Sequence, residues 1–325
     1  MNFLKNDSND PHYNMAFDEY CLEQLRSDAP LFYLWRNRPS VIIGLNQNAY
    51  GEVNLKYLDE KGITLARRVT GGGAVYHDLQ NLNYTIVGRS ADLEKDYPGY
   101  LTYFIDALKT LGVPAELSGR NDIMVEGRKV SGYAKRVYKD RLMVHGTLMY
   151  DVDLQTLQQV LSVPGSKMAS SGIASVRSKV VNLKDYLPEF SSLDALQAAL
   201  QKILAGNDSE VVLGPEDFSA IEKMASEKFG TWEWNYGRSN DADFRFVRKF
   251  ACGTVEAYVN LSHGEIVNIS FSGDFIGNLP ASLVASGLFG CRFTPSEVLE
   301  ALRSLPVRDC FDSLSPEELS MMFFE

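Results

Sequence analysis

Cysteine is scarce and scattered in this chain: Cys21, Cys252, Cys291 and Cys310 are the four in 325 residues, with no C-x-x-C and no histidine at metal-ligand spacing. That excludes a disulfide framework and a cysteine metal site, and the thiols are expected to be reduced and mostly structural. Long apolar runs are missing too. Nowhere do about 18 apolar residues run together, and Met1-Asn2-Phe3-Leu4-Lys5-Asn6-Asp7 has no apolar core of signal-peptide length. A cytoplasmic protein with no membrane partner is expected. Positive charge is in deficit, 32 Lys plus Arg against 42 Asp plus Glu for a net charge of −10, which disfavours broad nucleic-acid binding. Internal repeats and low-complexity tracts are absent.

What is present is an ordinary globular composition, 45% hydrophobic and 23% charged, in a chain long enough for two domains. The most distinctive stretch is Arg67-Arg68-Val69-Thr70-Gly71-Gly72-Gly73-Ala74-Val75-Tyr76-His77-Asp78. Strands are expected before it, from Ile63 to Arg68, and after it, from Asn83 to Val87. Three successive glycines leave backbone N–H groups open to a ligand, and such a loop forms an anion-binding concavity. Two arginines at its entrance add positive charge, so phosphate or carboxylate is the expected guest. A plain glycine-rich turn is the competing reading. No Gly-Lys-Ser/Thr follows, which excludes a Walker A loop, and Tyr76 stands where a dinucleotide fingerprint needs its third glycine.

Along the chain, Asp10-Pro11 signals a helix start, with Tyr13, Phe17, Cys21 and Leu25 four apart behind it. Residues 115–150 read as strands with turns at Glu126-Gly127 and Lys139-Asp140. From Gly119 to Arg141 seven basic residues meet three acids, an excess that a solvated hairpin or an anion site would each explain. Lys129 stands out. The small pair Ser131-Gly132 follows Val130, and small neighbours let a ligand approach a strand where a lysine can reach a phosphoryl or carboxyl oxygen. Residues 163–179, rich in Ser, Gly and Ala and carrying Lys167, Arg177 and Lys179, read as a cationic lid. The polar run Arg238-Ser239-Asn240-Asp241-Ala242-Asp243 is the expected domain boundary, followed by three short strands and helices from about Pro280, Pro295 and Pro316.

Together, the glycine stretch, Arg120-Asn121-Asp122 followed by Arg128-Lys129-Val130-Ser131-Gly132, His145-Gly146-Thr147-Leu148 and Ser175-Val176-Arg177-Ser178 resemble the lipoate-protein ligase A family, in the right order along nearly the whole chain. The resemblance implies an α+β fold: a large mixed-sheet catalytic domain of the biotin/lipoate ligase type over 1–240 and a small α+β domain over 241–325. It implies that ATP and lipoate give lipoyl-adenylate, and that the acyl group then passes to a lysine of lipoyl domains of 2-oxoacid dehydrogenase E2 subunits or of the glycine cleavage H protein. It further implies that Lys129 contacts the acyl carbonyl and phosphate. The lipoyl and adenylate pocket would be lined by Arg68, Thr70, Gly71, Gly72, Gly73, Ala74, Val75, Tyr76, His77, Asn121, Asp122, Gly132, His145 and Arg177. Mg²⁺ would help neutralise the phosphates, with Asp122 a candidate contact. His77 and His145 could be buried histidines that shape this pocket or polar contacts to adenylate or acceptor. Thr70, where relatives often have serine, keeps the hydroxyl. An octanoyl or lipoyl transferase of the same fold would use a cysteine to hold the acyl chain, and the interval from 22 to 251 contains none. A biotin-protein ligase matches the glycine loop less well. A non-catalytic lipoyl-protein-binding module would not need Lys129, the arginines and the lid together.

Overall fold

The computed structural model describes the chain except for residues 48, 90–92, 119–121, 162–179, 206–209, 238–243, 263–264, 294 and 325. It divides into two compact units, Met1–Ile42 with Val53–Arg67 and Val75–Thr231, and Ile43–Glu52 with Arg68–Ala74 and Trp232–Glu325.

The chain begins with β1 (Asn2–Leu4), α1 (Pro11–Glu23), β2 (Leu31–Trp35) and β3 (Ser40–Ile43), whose last residue already belongs to the second unit. Asp10 caps α1 as expected, accepting from the His12 and Tyr13 amides at 2.9 and 3.1 Å with Pro11 in the first turn. Two short helices follow, α2 (Ala49–Glu52), which belongs to the second unit, and α3 (Leu55–Lys61), which Asn54 caps by accepting from Tyr57 N at 3.1 Å. Then come β4 (Thr64–Arg67), β5 (Val75–His77), β6 (Asn81–Arg89) and α4 (Leu93–Thr110). The strand after the glycines is therefore β5, earlier than the Asn83–Val87 segment; the latter lies in β6 beyond a turn at Asp78. Four strands follow, β7 (Ala115–Ser118), β8 (Asp122–Val125), β9 (Arg128–Tyr138) and β10 (Arg141–Met149), then α5 (Leu154–Val160), α6 (Leu193–Ala205), β11 (Glu210–Val211) and α7 (Pro215–Met224).

Eight strands form a mixed sheet in the order β11-β1-β2-β6-β10-β9-β8-β7, with β1 parallel to both of its neighbours and the other pairs antiparallel. Alternation gives this sheet two chemically different faces. Leu82, Tyr84 and Ile86 of β6 with Leu142, Val144 and Leu148 of β10 join Leu101, Phe104 and Leu108 of α4 and Leu196 and Leu200 of α6 in one core. The alternate positions are polar: His145 pairs with Thr85 and Thr147 with Asn83, while Tyr33 and Trp35 of β2 lie opposite the same Thr85 and Asn83.

In the second unit β12 (Phe244–Phe250), β13 (Gly253–Ser262) and β14 (Glu265–Gly273) form an antiparallel sheet. One face packs on α8 (Ser282–Leu288), α9 (Pro295–Arg303), α10 (Val307–Cys310) and α11 (Pro316–Phe324) through Val255, Val259, Ile269, Val284, Leu302, Phe311 and Phe323. The α+β class with a smaller C-terminal element is thus observed. The polar run read as the boundary, residues 238–243, lies outside the described residues, and this unit also takes in Ile43–Glu52 and the glycine loop Arg68–Ala74. Backbone hydrogen bonds hold them there: Arg68 N to Ile43 O at 3.0 Å, Leu45 N to Thr70 O at 2.8 Å and Gly273 N to Asn46 O at 2.7 Å.

Candidate active site

Lys129 is the second residue of β9, and its Nζ lies 2.6 Å from Asp122 Oδ1 on the neighbouring strand, both side chains about one-third exposed. Asp122 stands opposite Gly132 in the pairing, and the register slips between Ile123 and Met124, so Val130 and Ser131 are both buried in succession. That bulge has a consequence for the site. Residues three apart would lie on opposite faces of a regular strand, yet a Cβ on Gly132 would sit 2.9 Å from Lys129 Nζ and 3.0 Å from its Cε. Lys129 therefore folds back across Gly132, and any side chain at 132 would displace it. The backbone of Lys129 is fixed from the other side by Val181 N, which donates to its carbonyl at 3.0 Å.

From Gly132 a polar row crosses the sheet. Gly132 N donates to Thr147 Oγ1 at 3.2 Å. His145, two residues earlier on β10, has Nδ1 2.6 Å from Asp18 Oδ2, a buried contact in which the carboxylate can only accept, so Nδ1 carries the proton. Tyr33 OH and Thr85 Oγ1 both donate to Asp18 Oδ1, at 2.6 and 3.0 Å, and Trp35 Nε1 donates to Thr85 at 2.9 Å. Burial first, then the Asp18 charge, push the Tyr33 phenol well above its usual range. His77 on β5 meets the edge of Trp35, and its Nδ1 accepts from Asn37 Nδ2 at 3.0 Å; Asn14 donates to Asn37 Oδ1 at 2.7 Å and so fixes that amide. Both histidines are buried, and Nδ1 of each meets a polar partner. Asp18 was not singled out from sequence. It follows Phe17 on α1 and is 1% exposed.

The glycine loop is shaped by Arg68. Its Nε donates to Thr70 Oγ1 at 3.0 Å, and its Nη2 to the carbonyls of Gly71 and Gly73 at 2.7 and 2.8 Å. Burial pushes the guanidinium down to about 10. The two arginines expected to add positive charge at the loop entrance are buried, Arg67 at 1% and Arg68 at 7% exposure, and the Arg68 donors are turned onto loop oxygens. Gly72 has φ +90°, which only glycine adopts without strain, and its N–H points to Phe275 O at 3.4 Å. Ala74 ends the loop; Val75 is half-buried and Tyr76 buried on β5. Asp78 ties the next turn to the start of α5, accepting from Gln80 N and Asp153 N at 2.8 and 3.0 Å.

Three of the basic residues between Gly119 and Arg141 have partners distant in sequence. Arg136 pairs with Glu19 and Glu23 at 3.2 and 3.0 Å, and Arg141 donates to the Cys21 and Leu25 carbonyls at the end of α1. Arg128 donates to Tyr186 OH at 2.8 Å. Asn121, Arg177 and the whole candidate lid 163–179 lie outside the described residues. Among the described residues no group of three or more His, Cys, Asp or Glu could hold a metal. Among the described residues Asp122 would offer Mg²⁺ a single carboxylate, beside phosphate oxygens and water. A cavity of about 370 Å³ lined by Tyr13, Phe17, Val212, Leu213 and Phe218 lies at the β1–β11 edge and includes none of the predicted site residues.

Residues 10–205 match the lipoyl protein ligase A/B catalytic domain, and residues 239–323 match the bacterial lipoate protein ligase C-terminus. The chain is 35% identical to the lipoate-protein ligase LplJ of Bacillus subtilis over 325 residues, 98% of each chain. A solved lipoate-protein ligase A bound with ATP is 30% identical with a TM-score of 0.64, over 72% of this chain and 97% of that one. The bipartite lipoate protein ligase of Thermoplasma acidophilum, described with its E2 lipoyl domain, is 29% identical with a TM-score of 0.67, over 75% of this chain and 98% of that one. With both halves matched and the similarity running from end to end, the chain belongs to the lipoate-protein ligase A family.

Proposed function

We propose that the protein is an ATP-dependent lipoate-protein ligase that activates lipoate as lipoyl-AMP and transfers the lipoyl group to a lysine of an acceptor lipoyl domain. The observation that carries this reading is Lys129, held by Asp122 across Gly132 at a bulge, in a chain matched end to end by a ligase. The first half-reaction brings a carboxylate against a triphosphate, so a positive group must stand where negative charge develops. The Lys129 ammonium supplies it, toward the acyl carbonyl and the α-phosphate. His145 and Thr147 line the adjoining polar row. Mg²⁺, bound with ATP, would supply further neutralisation of phosphate charge, with the Asp122 carboxylate as a candidate contact. In transfer a neutral acceptor amine attacks the acyl carbon of the mixed anhydride, the amide forms as the acyl–phosphate bond breaks, and AMP leaves. No enzyme thiol is needed, in keeping with a site free of cysteine between 22 and 251.

Acceptors are inferred to be lipoyl domains of 2-oxoacid dehydrogenase E2 subunits and the glycine cleavage H protein, in the cytoplasm. ATP–pyrophosphate exchange with lipoate, octanoate and biotin, followed by mass spectrometry of candidate acceptors, tests the reading. Exchange should depend on lipoate, with a linear acyl chain preferred to a ureido ring. Exchange driven equally by biotin, or none with any acid, would sink it.

A further inference from the structure

Asp122 and Lys129 are tied by more than proximity. Asp122 faces Gly132 in the β8–β9 register, and the Lys129 side chain crosses the same glycine, so the three residues form one cluster with Nζ 2.6 Å from Oδ1. The lysine backbone is held on both sides, opposite Met124 and by Val181 N on its carbonyl at 3.0 Å. A change of partner at the ammonium must therefore come from the side chain and not from the strand. Both side chains are about one-third exposed, so each charged group can reach another partner, although the contacting Asp122 Oδ1 is itself buried.

On the reading of Lys129 as the contact to the acyl and phosphoryl oxygens, we propose that Asp122 is a positioning residue whose carboxylate competes with the carboxylate of the substrate for the Lys129 ammonium, so that binding exchanges one anionic partner for another. Two carboxylates cannot both take the same approach to one ammonium without repelling each other. Asp122 thus lowers affinity for the free acid and sets the ammonium in place over Gly132. The glycine is needed because the lysine occupies the space a side chain would fill.

The test is equilibrium binding of lipoate, measured by titration calorimetry at low salt with neither nucleotide nor divalent cation present, which removes any contribution of Asp122 to metal binding. The proteins are wild type, Asp122→Asn, Lys129→Met and the double variant, each checked for an unchanged unfolding midpoint; Asp122→Ser replaces Asp122→Asn if the latter does not fold. Asp122→Asn should bind lipoate about two- to five-fold more tightly, the factor expected of a partly exposed ion pair, with a matching fall in KM. Lys129→Met should bind more weakly, and adding Asp122→Asn to it should change nothing. Unchanged or weaker binding by Asp122→Asn would overturn the inference, as would equal tightening in the Lys129→Met background, which would mean only that a negative charge had been removed. Failure of the wild type to bind lipoate would overturn the functional reading as well.

Discussion

At the scale of single residues, Lys129 is the side chain whose loss should separate activity from stability. It is about one-third exposed and contributes to no core, so Lys129→Ala should leave the unfolding midpoint nearly unchanged. Rates of adenylation and of transfer from supplied lipoyl-adenylate should both fall by ~10²–10³, the usual effect of removing one electrostatic contact worth about 2.7–4 kcal/mol. Arginine should not rescue it, since the side chain must cross Gly132 at contact distance and a planar guanidinium is bulkier than an ammonium. Wild-type rates in the alanine variant would refute the mechanism. In the second unit Glu52 makes a different prediction. Burial, followed by the charges of Glu256 and Asp274, pushes its carboxyl up to about 7 from 4.5. The unfolded chain then releases the proton first, so the contribution of Glu52 to stability is full below about 4.5 and is lost as pH rises through 7. Glu52→Gln should match wild type near pH 4.5 and exceed it by about 1–3 kcal/mol at pH 8 in urea unfolding. A difference independent of pH would contradict this.

At the scale of elements, β10 shows how one strand serves two faces. His145 and Thr147 belong to the polar row, while Gly146 between them makes room for Tyr84, which is stacked on Phe104 at 4.0 Å. A Cβ at 146 would lie 2.5 Å from the Tyr84 hydroxyl oxygen and 2.6 Å from Cζ. Gly146→Ala should therefore destabilise by about 1–3 kcal/mol through overpacking, read as a lowered denaturant midpoint. A neutral effect would show that the Tyr84–Phe104 pair can yield. The helix start at Asp10-Pro11 was legible because capping is local. The bulge at Val130 was not, because period-two counting along β9 contains no information about how β8 pairs with it.

At the scale of the whole molecule, the glycine loop and Ile43–Glu52 form one compact unit with Trp232–Glu325, and Gly72 N and Asn46 O bond to Phe275 O and Gly273 N within it. Truncation near residue 240 should thus remove the partners of the loop together with the C-terminal strands. We expect ATP–pyrophosphate exchange to be lost while transfer from supplied lipoyl-adenylate is less affected. If both half-reactions survive intact, the C-terminal residues have another purpose.

Local chemistry by itself determined a good deal: strands that alternate apolar and polar, a cap at Asp10, a loop that only glycines can close at Gly72, and a lysine beside small residues at 129. These are consequences of sterics and hydrogen bonding within a few neighbours. Tertiary structure decided which charges remain available. Asp18 meets His145 across 127 residues of chain, Arg136 and Arg141 find their partners on α1 and at its end, and Arg68 turns onto its own loop. Neither net charge nor spacing can foresee those pairings, since burial forces each ion to find a partner and only the fold brings the partners within reach.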